Sequence, residues 1–177
     1  GFKDGLDPDS TEGAIDLVYD LPNVHVEYVR VEPPGIPTAF WRSVGPSHNV
    51  FVTESFIDEL AASAKQDAVA YRRALLSKSP RASAVLNLAA EKAGWSSPLA
   101  AGKAGEKRAR GIAVHESFGT FVAQVAEVTI DKDNKFKVDR VVCAVDCGLA
   151  INPDVVRAQM EGGIGFGLTA ALYGRIT

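Results

Sequence analysis

The chain has 177 residues, 46% of them apolar, and a net charge of −3 carried by interspersed acidic and basic side chains. That is enough apolar material for one large domain, or one domain with an extension. There is no basic stripe to grip nucleic acid, no run near the ~18 apolar residues of a membrane span, and no signal peptide at the first residues.

Residues 1–22 are polar and turn-rich (Asp7-Pro8-Asp9-Ser10, Asp20-Leu21-Pro22) and read as a loop or extended arm. Val24, Val26 and Tyr28 alternate with His25 and Glu27, which predicts a strand over 24–31. Pro33-Pro34-Gly35 stops it. The loop Thr38–Asn49 then leads into a helix over 50–62, with Ser47 or Asn49 available as its cap. Asp67 can cap a second helix, Ala68–Leu76. Ser79-Pro80 opens a third, carrying Val85, Leu88, Ala89 and Lys92 and stopped by Gly94. Residues 96–110 read as a basic linker loop.

Beyond the linker the pattern turns to β. Gly111–Phe118 and Thr120–Asp131 are strands, 132–135 a hairpin turn, and Phe136–Asp146 the return strand. On that strand Val138, Val142 and Ala144 are expected on one face and Val141, Cys143 and Val145 on the other, which suggests a sheet covered on both sides. Cys143 and Cys147 read as buried free thiols. Grouped helices followed by antiparallel-type strands make the fold class α+β.

The last segment is unusual. Asn152-Pro153 reads as a helix start, yet Gly162, Gly163, Gly165 and Gly167 lie inside the helical spacing. Each costs about 1 kcal/mol relative to alanine. Glycine lets backbone approach backbone or a ligand closely, so either tight packing or a cofactor laid on the chain would explain them. Two other stretches carry chemistry. Trp41-Arg42-Ser43-Val44-Gly45-Pro46-Ser47 offers a guanidinium, two hydroxyls and a helix N-terminus, a set that suits an anion or a surface ion pair of Arg42. His115 and Glu116 adjoin, but neighbours on a strand face opposite ways and form no relay. No G-x-S-x-G elbow supports a hydrolase.

Three stretches together carry a resemblance. Phe40-Trp-Arg-Ser-Val-Gly-Pro-Ser47 through Ala61, Gly111-Ile-Ala-Val-His-Glu-Ser-Phe-Gly-Thr120 through Val128, and Val142-Cys-Ala-Val-Asp-Cys-Gly148 with Asn152-Pro-Asp154 and Gln159-x-x-Gly-Gly163 resemble the molybdenum-binding large subunit of isoquinoline 1-oxidoreductase-like enzymes. This is the bacterial aldehyde dehydrogenase branch of the xanthine oxidase (molybdenum hydroxylase) family. The resemblance covers the chain from about residue 10.

It implies a molybdopterin cytosine dinucleotide cofactor with molybdenum, oxidation of aldehydes or N-heteroaromatics, and electron transfer to a small partner subunit with [2Fe–2S] clusters. Such enzymes occur in the bacterial cytoplasm or periplasm. By motif, Arg42, Ser43 and Gly45 correspond to the loop approaching the molybdenum centre and pterin. Gln159, Gly162 and Gly163 correspond to the turn of the Gly-rich helix near the pterin or its phosphates. His115, with Glu116 to Gly119, corresponds to a stretch by the cofactor cleft, and closer packing remains the expectation for Gly165 and Gly167.

The family's catalytic Glu, in a downstream Gly-Glu-Pro-like segment, has no counterpart here, so no residue is assigned to catalysis or as a metal ligand. The only methionine is Met160. Together these make the chain read as a fragment: an arm (1–22) and part of a molybdopterin-binding domain (23–177), inactive alone, prone to self-association, and dependent on the rest of the large subunit. The alternative is a non-catalytic stand-alone or degenerate domain that packs or binds a partner.

Overall fold

The computed structural model describes residues 6–31, 33–37 and 39–175; Gly1–Gly5 of the arm and Thr38 of the loop lie outside the described residues. The chain divides into two units, Gly1–Asp146 and Cys147–Thr177. The first holds α1 (Pro8–Thr11), α2 (Pro46–Ser63), α3 (Ala68–Leu75) and α4 (Pro80–Lys92), then β1 (Lys107–Ser117), β2 (Thr120–Ile130) and β3 (Phe136–Asp146). The second is one helix, α5 (Pro153–Tyr173), with its leading turn. The α+β expectation holds: four helices precede an antiparallel sheet of order β1-β2-β3.

The core forms where α4 lies across the sheet. Ala82, Val85, Leu86, Ala89, Ala90 and Ala93 recur every three or four residues, and all are buried. They meet Ile112 and Val114 of β1, Ala123 and Val125 of β2 and Ala144 of β3. The many alanines let the helix come close to the strands. Leu88, expected among the apolar positions of this helix, points to solvent instead and is 45% exposed.

Helix ends follow local chemistry. The Asp67 carboxylate accepts from the Val69 and Ala70 amides (3.0 and 2.9 Å) and starts α3. Gly94 ends α4 at φ +65°, with its N–H donating to Glu91 O and Trp95 N–H to Ala90 O. The cap of α2 differs from expectation. Gly45 holds the N-cap position without a side-chain cap. The Asn49 amide is committed to the carbonyls of Ser10 and Glu12, and the Ser47 hydroxyl to Arg42 O.

Four other expectations are corrected. Residues 24–31 form no strand, because no described segment pairs with them. The arm is more than loop: it contains α1 and puts Tyr19 in the core. The linker ends at 106, since Lys107–Arg110 already pair with β2. Its arginines are engaged rather than solvated. Arg108 bonds Ala100 O and Glu127, while Arg110 donates to the carbonyls of Gly94, Trp95 and Ser97 and stacks on the Trp95 ring.

Finally, a bulge shifts the β2–β3 register between Glu127 and Val128. It pairs Val138 with Val128, and so moves Val138 onto the face of Val141, Cys143 and Val145. The two faces also differ. One is sealed by α4. The other carries Ala113, His115, Val122, Gln124, Ala126 and Cys143, none of them fully buried.

Candidate functional site

The loop before α2 is shaped by its surroundings. Val44 N–H donates to Trp41 O at 2.9 Å, and both Ser43 (φ +75°) and Val44 (φ +52°) adopt left-handed backbone. Neither is glycine, and Val44 is β-branched, so the pair holds strain of about 1–2 kcal/mol per residue. Trp41, Arg42 and Ser43 stand exposed at this turn. Gly45 beneath them is buried; a Cβ there would lie 2.3 Å from Asp9 O and 2.9 Å from Glu12 O. Close approach of α1 therefore explains this glycine.

The same contact alters the anion reading of the α2 N-terminus. The Ser47, His48 and Asn49 amides turn back onto the carbonyls of Val44 and Gly45. The helix start faces protein carbonyls, and the loop's outward polar chemistry is that of Arg42 and Ser43.

His115 lies near the end of β1, opposite Val122. Its Nε2 is enclosed and has no hydrogen-bond partner. Burial pulls its pKa below the ordinary histidine value, partly offset by the carboxylates of Asp16 and Glu116, so the ring is neutral at pH 7. Glu116, on the other side of the strand, accepts from Gly119 N–H at 2.6 Å. As expected, the two make no relay. Phe118 and Gly119 both have positive φ and form a two-residue hairpin tip, with the Phe118 ring exposed.

In the second unit, Asn152 Oδ1 accepts from Asp154 and Val155 N–H (3.1 and 3.2 Å), and Pro153 takes the first helical position, as read from sequence. α5 runs unbroken through its glycines, and none of its residues is fully buried. Gln159 and Gly162 are exposed and Gly163 partly so. Within the unit, a Cβ at Gly162, Gly165 or Gly167 would meet no atom within 4 Å. Nothing inside the helix's own unit accounts for these glycines.

The structure thus places Arg42, Ser43, Gly45 and His115 in the first unit and Gln159, Gly162 and Gly163 in the second. Cys143 and Cys147 are free thiols, and burial raises the Cys143 pKa. Among the described residues no cluster of three His, Cys, Asp or Glu is arranged to hold a metal ion.

One polar centre was missed from sequence. Glu54 on α2 accepts from Tyr19 Oη (2.7 Å), Arg72 Nε (3.0 Å) and Val114 N–H (2.9 Å). Arg72, fully buried, also donates to Asp58 Oδ1, Ala68 O and Glu54 O. The partners of the Glu54 carboxylate come from the arm, α3 and β1, and no spacing rule joins positions that far apart. All three bonds to Glu54 are structural, so this carboxylate is no vacant base.

A family model described as a molybdopterin cofactor-binding domain matches residues 49–177. The chain is 36% identical over 171 residues to the beta subunit of isoquinoline 1-oxidoreductase from Brevundimonas diminuta, covering 96% of this chain and 21% of that protein. It is 35% identical over 161 residues to a subunit of nicotinate dehydrogenase from Pseudomonas putida, covering 81% of this chain and 14% of that one. It therefore spans about a fifth or less of the length of these curated relatives.

Proposed function

Since the chain belongs to the molybdopterin cofactor-binding domain family, we propose that it forms part of the cofactor-holding wall of a molybdenum hydroxylase large subunit. The parent enzyme would oxidise N-heteroaromatics or aldehydes. The relatives' names, isoquinoline 1-oxidoreductase and nicotinate dehydrogenase, support the first class. The cofactor would be the cytosine dinucleotide form, and a small subunit with [2Fe–2S] clusters would take the electrons. Alone, the chain would be inactive.

The observation that carries this reading is the enclosed, unpartnered His115 Nε2. A buried imidazole nitrogen without a partner costs about 1–3 kcal/mol, and a polar ligand would satisfy it. The other residues fit the same group. Arg42 and Ser43 offer exposed donors beside a strained turn. Gln159 offers an amide next to a helix surface free of side chains. Gly45 contributes through the loop it allows, not through an open surface.

Once bound, the cofactor supplies two-electron oxidation of a carbon centre with oxygen from water. The chain's own residues would help to hold it. Arg42 and Ser43 would donate hydrogen bonds to it. His115, neutral, would give or accept one hydrogen bond at Nε2, and the backbone at Gly162 and Gly163 would admit close approach.

Dye-linked oxidation of isoquinoline, nicotinate and a simple aldehyde by the intact complex tests the proposal. Turnover of at least one, lost on removing the molybdenum cofactor, is expected; cofactor-independent turnover, or none with any of the three, would contradict it. The alternative, a non-catalytic domain, would be favoured by a reading frame that lacks any Gly-Glu-Pro-like segment.

A further inference from the structure

None of the candidate cofactor contacts comes from Val142–Gly148, although that stretch carries part of the family pattern. It contains Asp146, the last residue of β3 and of the first unit. Here the strand end is held by a side chain from another element. Arg81, in the first turn of α4, forks its guanidinium onto the Asp146 carboxylate, with Nε to Oδ2 at 2.7 Å and Nη2 to Oδ1 at 2.8 Å. Nη2 also donates to the Asp146 carbonyl at 3.2 Å, so the backbone itself is gripped. The same guanidinium lies over the ring of Phe121, 4.4 Å from its centre, and Phe121 is the β2 residue paired with Asp146. A planar guanidinium can make a two-bond fork and a ring stack at once, whereas a lysine ammonium in its place is a single point charge.

Beyond this clamp the chain leaves the ladder at Cys147. Gly148 turns it with φ +74°, and Leu149 and Ile151 are 83% and 84% exposed. The next side-chain anchor is Asn152, which caps α5. Residues 147–151 thus run between two anchors, the Arg81 fork and the Asn152 cap. The fork is partly open to water, with the Arg81 and Asp146 side chains 44% and 34% exposed, and screening keeps its share of global stability small. What it does supply is a fixed backbone position at one point. We propose that Arg81 is a positioning residue: through Asp146 it fixes the point from which the chain leaves the sheet, and so anchors the tether of α5. This rests on the proposed function, in which Gln159, Gly162 and Gly163 of that helix meet the cofactor.

Two measurements on Arg81→Ala and Arg81→Lys test this. In the 177-residue chain, hydrogen exchange at the amides of 144–147 should quicken at least about tenfold in both variants, while the amides of 123–127 in the middle of β2 keep their rate. Lysine fails here because it keeps the charge and loses the fork. Unchanged exchange at 144–147, equal acceleration across the sheet, or full protection with lysine would each overturn the proposal. In the large subunit made from the gene's full reading frame, both variants should hold at least about tenfold less molybdenum than the wild type at an unchanged unfolding midpoint. Full molybdenum in the variants would overturn the positioning role. Molybdenum absent from the wild type would instead sink the proposed function, and exchange then decides the clamp alone.

Discussion

Glu54 gathers the arm, α3 and β1 onto one buried carboxylate, with the guanidinium of Arg72 as its counter-charge. Removing one partner of such a pair strands the other. Glu54→Ala and Arg72→Ala should each cost about 3–5 kcal/mol in urea unfolding, whereas Tyr19→Phe, which removes one hydrogen bond, should cost about 1 kcal/mol. Equal effects for all three would refute the assignment of charge and bond. Titration at this scale has two opposite signs. Burial and then Glu54 push the Tyr19 phenol well above its ordinary range. Its contribution is therefore complete below about pH 10 and is lost as pH rises beyond that.

His115 is depressed by burial, so its contribution is present above about pH 6.5 and lost as pH falls. Stability of the wild-type chain should drop between pH 7 and 5. A His115→Gln variant should lose much less over that window, and an unchanged drop would assign it to other groups. Burial sets the effect, and the carboxylates of Asp16 and Glu116 oppose it. Residue-level legibility was uneven. The caps at Asp67 and Asn152 were readable because carboxylate and amide oxygens at those positions have one obvious use. The left-handed Ser43 and Val44 were not, because neither residue type signals positive φ; packing on the arm imposes it.

At the scale of elements, α4 and the α2 entry loop are the places where sequence and packing can be set against each other. Leu86 is fully buried while Leu88 is 45% exposed. Leu86→Ala should cost about 2–5 kcal/mol and Leu88→Ala less than about 0.5 kcal/mol, read from denaturant midpoints; the reverse order would mean that α4 is rotated on the sheet. In the loop, Val44→Gly should stabilise the fold by about 1 kcal/mol by relieving left-handed strain. If that strain presents Arg42 and Ser43 to the cofactor, the same variant in the complete subunit should hold less molybdenum. Greater stability with unchanged cofactor would show that the strain serves packing alone.

The existence of α2 to α5, the hairpin at 132–135 and the strand over 136–146 were readable because turns and periodicity agree, whereas α1 and the α2 cap were not. The Lys107–Arg110 part of β1 was missed because four residues rich in Lys and Arg look solvated. In the fold Arg108 reaches Glu127 and Arg110 the carbonyls that follow α4. The bulge near Val138 was equally invisible, since one unpaired residue leaves no mark in an alternating pattern.

For the whole molecule, the unsatisfied surfaces are the main fact. Val24, Val26, Val29 and Val31 are exposed, the sheet's second face is apolar without being sealed, and α5 has no fully buried residue despite glycines that weaken it as a helix. Three separated motifs gave the family from sequence. That the candidate residues fall in two units, Arg42, Ser43, Gly45 and His115 in one and Gln159, Gly162 and Gly163 in the other, was not readable there, because motifs record residue types and not how the chain divides.

The central claim is that Arg42, His115 and Gln159 help to hold a molybdenum–pterin group. Its most direct test is the molybdenum and pterin content of the large subunit purified from the full reading frame, alongside Arg42→Ala, His115→Leu and Gln159→Ala variants with unchanged circular dichroism. Near-stoichiometric molybdenum in the wild type, with at least about a tenfold loss in one or more variants, is the expected result. Molybdenum absent from the wild-type subunit, or full content in all three variants, would contradict the claim.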